Sequence, residues 1–263
     1  YLVLPCTALF ETPNVTASSR SAVLEISEAG VTPPGEAKTD LEITLEVAKR
    51  FGFEQYFNED PEVYIKRVLE PTGVTYDELV EKKGVNMWER NEGWIAYKDG
   101  QFFTSTGKAH LWVQKWVDEG FPPIACHQRP AEHPLNAEGL AAKYPLAAVQ
   151  RKLRTSVHTI FKNLDTMLDL DGHEPHVYLH PADAEARGIK HGDAVAAYND
   201  RGEHAGTAFV TDHVKQGVVV LENGWDDAVN ETGSSSHVTS NAYPVLGTTH
   251  CCNSTLVEVK KGA

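Results

Sequence analysis

The stretch from His180 to Gly202 constrains this chain more than any other. Pro181 sits where the first turn of a helix tolerates a residue without an N–H, and Gly188 sits where the chain leaves that helix. Lys190-His191-Gly192-Asp193 then reads as a turn, Ala194 to Tyr198 as a strand, and Asn199-Asp200-Arg201-Gly202 as a hairpin turn with Asn or Gly at positive φ. Glu203 to Val210 reads as the returning strand. Val177 to His180, Val218 to Leu221 and Leu256 to Val259 supply further apolar strands. Short strands, tight turns and one small helix point to a closed barrel.

The first half reads as mixed α/β. Tyr1-Leu2-Val3-Leu4-Pro5 reads as a buried strand ending at a proline, and residues 1 to about 30 as strand, loop and strand. A chain that opens inside a core strand is expected to be a piece of a longer protein, with any targeting signal upstream. Val31 to Glu36 is a rigid turn. Thr39-Asp40-Leu41-Glu42 is a capping box that starts a helix running through Ile43, Val47 and Phe51 to Gly52. A second helix is expected from Asp60-Pro61. A third follows the box Thr75-Tyr76-Asp77-Glu78 and stops near Gly84. Trp94 to Tyr97 and Gln101 to Thr104 look strand-like. Pro122-Pro123, Pro130, Pro134, Asn136, Gly139 and Pro145 break regular structure, so 119–145 reads as a linker between an α/β portion (1–118) and a barrel (146–263).

Bulk properties exclude several functions. A net charge of -13 in 263 residues argues against a nucleic-acid surface. No apolar run approaches the roughly 20 residues that span a bilayer. Cys6, Cys126, Cys251 and Cys252 form no C-x-x-C pair, so the chain supplies no iron–sulfur or structural zinc set by itself. The 12 histidines show no convincing metal-ligand spacing, and a soft-metal site at His250-Cys251-Cys252 is a minor alternative.

The run His180 to Asp193 followed by Asn199-Asp200-Arg201-Gly202 resembles the C-terminal barrel of the dimethyl sulfoxide reductase family, where a similar stretch reads HPxDAxxRGIxxGDxVxVxNDRG. Ser156 to Asn163 is similar to the family's HSxxxN segment, Glu222 to Trp225 to its turn after a strand, and Leu256 to Lys260 to its closing strand. Pro33 to Glu36, Asp40 to Ile43 and Phe103 to Lys108 look like the end of the Rossmann-like α/β domain that precedes the barrel.

The resemblance implies a double-psi-type barrel that covers two molybdopterin guanine dinucleotides on one molybdenum or tungsten. It implies oxygen-atom or hydride transfer by the whole enzyme. The metal ligand, and any iron–sulfur cluster, would come from upstream domains of the same polypeptide, so this portion is expected to be inactive alone. An iron–sulfur electron-transfer subunit is an implied partner. The alternative is a stand-alone double-psi barrel used as a binding module.

On the residues alone, His158 and Thr159 are loop groups that satisfy nearby backbone. The resemblance assigns them, with Asn163, Thr239 and Asn253, to a pterin edge, and leaves Arg201 as a weaker candidate for phosphate or carboxylate. Asp183 reads as a backbone-binding residue rather than a catalytic one. Ser236 stands where relatives carry Asn, and Cys251-Cys252 departs from their pattern too. Substrate, direction of turnover and localisation are not encoded in these features.

Overall fold

A computed structural model describes residues 2–17, 21–57, 61–90, 95–135, 139–225, 234–243 and 251–262. The chain divides into two compact units, residues 1–109 and 110–263.

In the first unit, β1 (Asn14–Ala17), β2 (Val23–Ser27) and β3 (Gly84–Asn86) make an antiparallel sheet in that order. The helices are α1 (Asp40–Arg50), α2 (Pro61–Leu69), α3 (Tyr76–Lys82) and α4 (Met87–Arg90). The Thr39 hydroxyl accepts from the Glu42 N–H while Glu42 bonds back to the Thr39 N–H, so the capping box closes. At α3 the Thr75 cap accepts from the Glu78 N–H, and the left-handed stop falls on Lys83, one residue before Gly84. Leu24, Ile26, Leu69, Val74, Leu79 and Val85 form a small core.

Three sequence expectations fail in this unit. Leu2, Val3 and Leu4 are exposed and form no strand; the pairing next to them is an isolated bridge between Cys6 and Lys38. Gln101 to Thr104 and the described part of Trp94 to Tyr97 are turns, with Trp94 itself outside the described residues. Gly100 N–H bonds Tyr97 O and Phe102 N–H bonds Gly107 O, so each piece closes on itself before a ladder can grow. The Tyr97 and Phe102 rings stack 4.6 Å apart.

In the second unit, α5 (Gln114–Asp118) and α6 (Leu140–Lys143) precede β4 (Leu146–Lys152). Then follow α7 (Asp165–Asp171), β5 (His176–Leu179), α8 (Pro181–Glu185), β6 (Ala194–Asn199), β7 (Gly202–Val210), β8 (Val218–Asn223) and β9 (Thr255–Lys261). The six strands close into a barrel in the order β4-β8-β5-β7-β6-β9. The pairs β4–β8 and β5–β7 are parallel and the other four antiparallel. Inward residues of every strand, including Leu146, Val177, Val195, Ala208, Val219 and Val257, form one buried cluster.

The barrel expectation from the 180–202 stretch holds, with one correction. The hairpin does join Asn199 to Gly202, but no residue in it has positive φ. Gly202 sits in close quarters instead: a β-carbon there would lie 3.1 Å from the β-carbon of His237, tighter than an ordinary contact.

Candidate functional site

Parallel pairing sends β4 and β8 out of the barrel at the same end, with Arg151 opposite Glu222 and Lys152 opposite Asn223. This rim gathers two of the predicted polar residues, Thr239 and Asn253. Gln150, on β4, is the hub. Its carboxamide oxygen accepts from Asn223 Nδ2 at 2.8 Å, and its Nε2 donates to Thr239 Oγ1 at 3.0 Å. Its backbone N–H donates to Asn253 Oδ1 at 2.8 Å. Thr239 also donates to Ser235 O. Thr239 and Asn253, far apart in sequence from β4, are thereby fixed on one strand end.

His158, Thr159 and Asn163 lie in the loop that follows β4, and all three are exposed. The loop is pinned by a main-chain contact. Gly224, at φ 103, comes so close that a β-carbon would stand 2.1 Å from His158 O and 3.5 Å from Ser156 Oγ. His158 and Phe161 carry positive φ of 55 and 76. For non-glycine residues such backbone costs about 1–2 kcal/mol each.

Beside this contact, Ser156 Oγ and Asn223 Oδ1 are buried without a hydrogen-bond partner among the described residues. Leaving such atoms unmatched costs about 1–3 kcal/mol each, so they mark a place where a polar ligand edge would be welcome. The exposed donors and acceptors of His158, Thr159 and Asn163 stand next to it in sequence.

Beneath the rim lies a buried polar layer. Glu222 accepts from Tyr178 OH at 2.7 Å, from the His176 N–H at 3.1 Å and from Trp225 Nε1 at 3.3 Å. Burial, then the Glu222 hydrogen bond, pushes the Tyr178 hydroxyl up to about 12. Arg151 lies over the Tyr178 ring at 4.7 Å.

Arg201 is placed differently. Its guanidinium grips Glu132 with two bonds of 2.6 and 3.0 Å and also donates to Val238 O. Glu132 in turn accepts from Leu256 N. Every guanidinium nitrogen of Arg201 is thus engaged within the chain, tying the proline-rich stretch to the barrel. Asp183 accepts from Gly217 N at 2.7 Å, matching its backbone-binding reading.

The residues that sequence reasoning missed are Gln150 and Lys162. Gln150 carried one usable signal, a polar side chain closing the apolar run Leu146 to Val149. Lys162 carried none. His250 lies outside the described residues, and among the described ones no group of three or more His, Cys, Asp or Glu is arranged to hold a metal ion.

Residues 146–254, which hold this rim, match the family model described as the molydopterin dinucleotide binding domain. The barrel is therefore of the pterin-dinucleotide-binding class. Over 88% of its length the chain is 30% identical to dimethyl sulfoxide reductase DmsA of Escherichia coli (strain K12), covering 32% of that protein. It is 28% identical over 88% of its length to the dimethyl sulfoxide/trimethylamine N-oxide reductase of Rhodobacter capsulatus, covering 31% of it. Acetylene hydratase from Pelobacter acetylenicus shares the fold, with a TM-score of 0.76 at 19% identity over 98% of this chain and 38% of that one. Over most of its length the chain is similar to dimethyl sulfoxide reductases, and its residues 146–254 match the molydopterin dinucleotide binding domain. It spans about a third of the length of the curated relatives it matches.

Proposed function

We propose that this chain is the C-terminal cofactor-covering portion of a bis-molybdopterin guanine dinucleotide oxidoreductase, with its barrel of the double-psi type. The observation that carries the reading is the pair of buried atoms unmatched among the described residues, Ser156 Oγ and Asn223 Oδ1, beside the loop where His158, Thr159 and Asn163 stand exposed. A pterin edge, with its ring amino group, ring nitrogens and carbonyl alternating donors and acceptors, fits such a surface.

In this reading His158, Thr159 and Asn163 bond the ring edge from the loop. Thr239 and Asn253 hold the opposite side, kept in place by Gln150. Arg201 sets the neighbouring backbone through Glu132 and Val238 rather than meeting a phosphate. The cofactor, with molybdenum or tungsten, supplies oxygen-atom or hydride transfer when bound. The chain's own part is to bind, orient and exclude water. The metal ligand, an Rossmann-like parent domain for the first unit, any iron–sulfur cluster and an electron-transfer subunit belong to the longer protein. Alone, the chain is expected to show no turnover.

The test is expression together with the preceding residues of its gene, followed by metal analysis and denaturation. Molybdenum or tungsten with released guanine nucleotide supports the reading. A well-folded long form with neither metal nor nucleotide overturns it and leaves a stand-alone binding barrel.

A further inference from the structure

Lysine is among the residues least often fully buried, and it is buried only with a partner. Lys162 is 1% exposed. Its ammonium pairs with Asp171 at the end of α7 and sits 3.7 Å from the centre of the Trp225 ring. Asp171 also accepts from the Thr155 hydroxyl. Trp225 is itself buried and anchored through its indole N–H to Glu222, the last residue but one of β8.

Every other residue from Val157 to Leu164 is exposed, including the apolar Val157, Ile160, Phe161 and Leu164. The loop therefore has no apolar anchor of its own. Its internal backbone bonds are the two between Val157 and Ile160, at 3.3 and 3.1 Å, and those from Lys162 N–H to Thr159 O and from Leu164 N–H to Phe161 O, each 3.2 Å. The strained residue Phe161 directly precedes Lys162, and Asn163 directly follows it. Strained backbone persists only where surrounding structure holds it.

We propose that Lys162 is the positioning residue of this loop: an ionic and cation–π anchor that preforms the stretch presenting His158, Thr159 and Asn163. Its relevance to the cofactor rests on the pterin reading above; the anchoring itself does not. A loop fixed before the ligand arrives spares the ordering cost at binding.

The test uses the full chain and three variants: Lys162→Met, Lys162→Arg and Asp171→Asn. Hydrogen exchange is followed at residues 157–164 and in β4, β5 and β8. Lys162→Met is expected to speed exchange in the loop by about tenfold while the strands change little. Lys162→Arg, which keeps the charge over Trp225, is expected to restore most of the protection. Asp171→Asn preserves side-chain volume and is expected to give an intermediate, local loss; it carries the test if Lys162→Met fails to fold. In the long, cofactor-loaded form, guanine nucleotide released per chain is expected to fall severalfold for Lys162→Met and to recover for Lys162→Arg. Unchanged loop exchange in both the Met and Asn variants, or acceleration spread evenly over the strands, overturns the proposal. Local loop loss in a long form whose parent holds no pterin would leave the anchor standing and sink the pterin reading instead.

Discussion

The two units handle their apolar residues in opposite ways. The barrel closes on itself, so inward residues from all six strands share a single interior. The first unit has an open three-stranded sheet and short helices, and its core is six buried residues with partly buried neighbours. Around that core Leu9, Phe10, Phe51, Tyr56, Trp88 and Phe103 remain exposed, Phe103 completely. Closure removes sheet edges and gives every strand one hidden face; an open sheet must borrow its cover from other elements. The lesson is that the larger buried core and the candidate cofactor-binding residues fall in the same half of this chain.

That contrast is open to direct attack, beginning with a matched pair of leucines. Leu179 in the barrel and Leu79 in the first unit are both fully buried. Leu179→Ala is expected to cost about 4 kcal/mol, because a closed barrel cannot collapse onto the cavity, and Leu79→Ala about 2 kcal/mol. Urea denaturation of the two variants measures this, and equal losses would erase the contrast.

Gly224→Ala comes next. The added β-carbon meets His158 O and the residue must keep positive φ, so a loss of about 2–3 kcal/mol is expected. Exchange should rise first in the 156–163 loop. A variant as stable as its parent would show that the loop is not seated on the exit of β8.

Helix capping in the first unit gives a smaller effect. Thr39→Ala removes one half of a closed capping box and is expected to cost about 1 kcal/mol, read as a shift in the urea midpoint.

The smallest effect is a pH dependence. Tyr178 holds its proton more tightly folded than unfolded, since its value is raised to about 12 from 10. Its contribution is fully present below pH 10 and is lost as pH rises from about 10 through about 12. Melting temperatures across that range should fall less steeply for Tyr178→Phe than for the parent. Parallel curves would mean that the Glu222 layer does not discriminate between the two states of the phenol.

Legibility in the sequence followed the range of the interactions. The helix at Pro181, the β6–β7 hairpin and the α1 cap rest on residues two to eight apart, and their side-chain chemistry declares them. The strand expected at Tyr1 to Pro5 failed because an apolar run says nothing about whether a partner strand exists. Thr239 and Asn253 were legible as candidates only through resemblance. What unites them is Gln150, 89 and 103 residues away, and no local pattern encodes that distance. Arg201, read from the sequence only as a weaker candidate in a hairpin turn, has its partner, Glu132, 69 residues upstream in the proline-rich stretch, equally beyond any local pattern. Lys162 was invisible because burial of a lysine depends on Trp225 and Asp171 arriving from other segments.

The contact between Gly224 and His158 runs from backbone to backbone. The contact is therefore made by the carbonyl of residue 158 and not by its side chain. The choice of side chain there is limited instead by the positive φ, which suits His, Asn, Asp or Gly better than a β-branched residue. Residue 224 has less latitude still, because any β-carbon there meets that carbonyl.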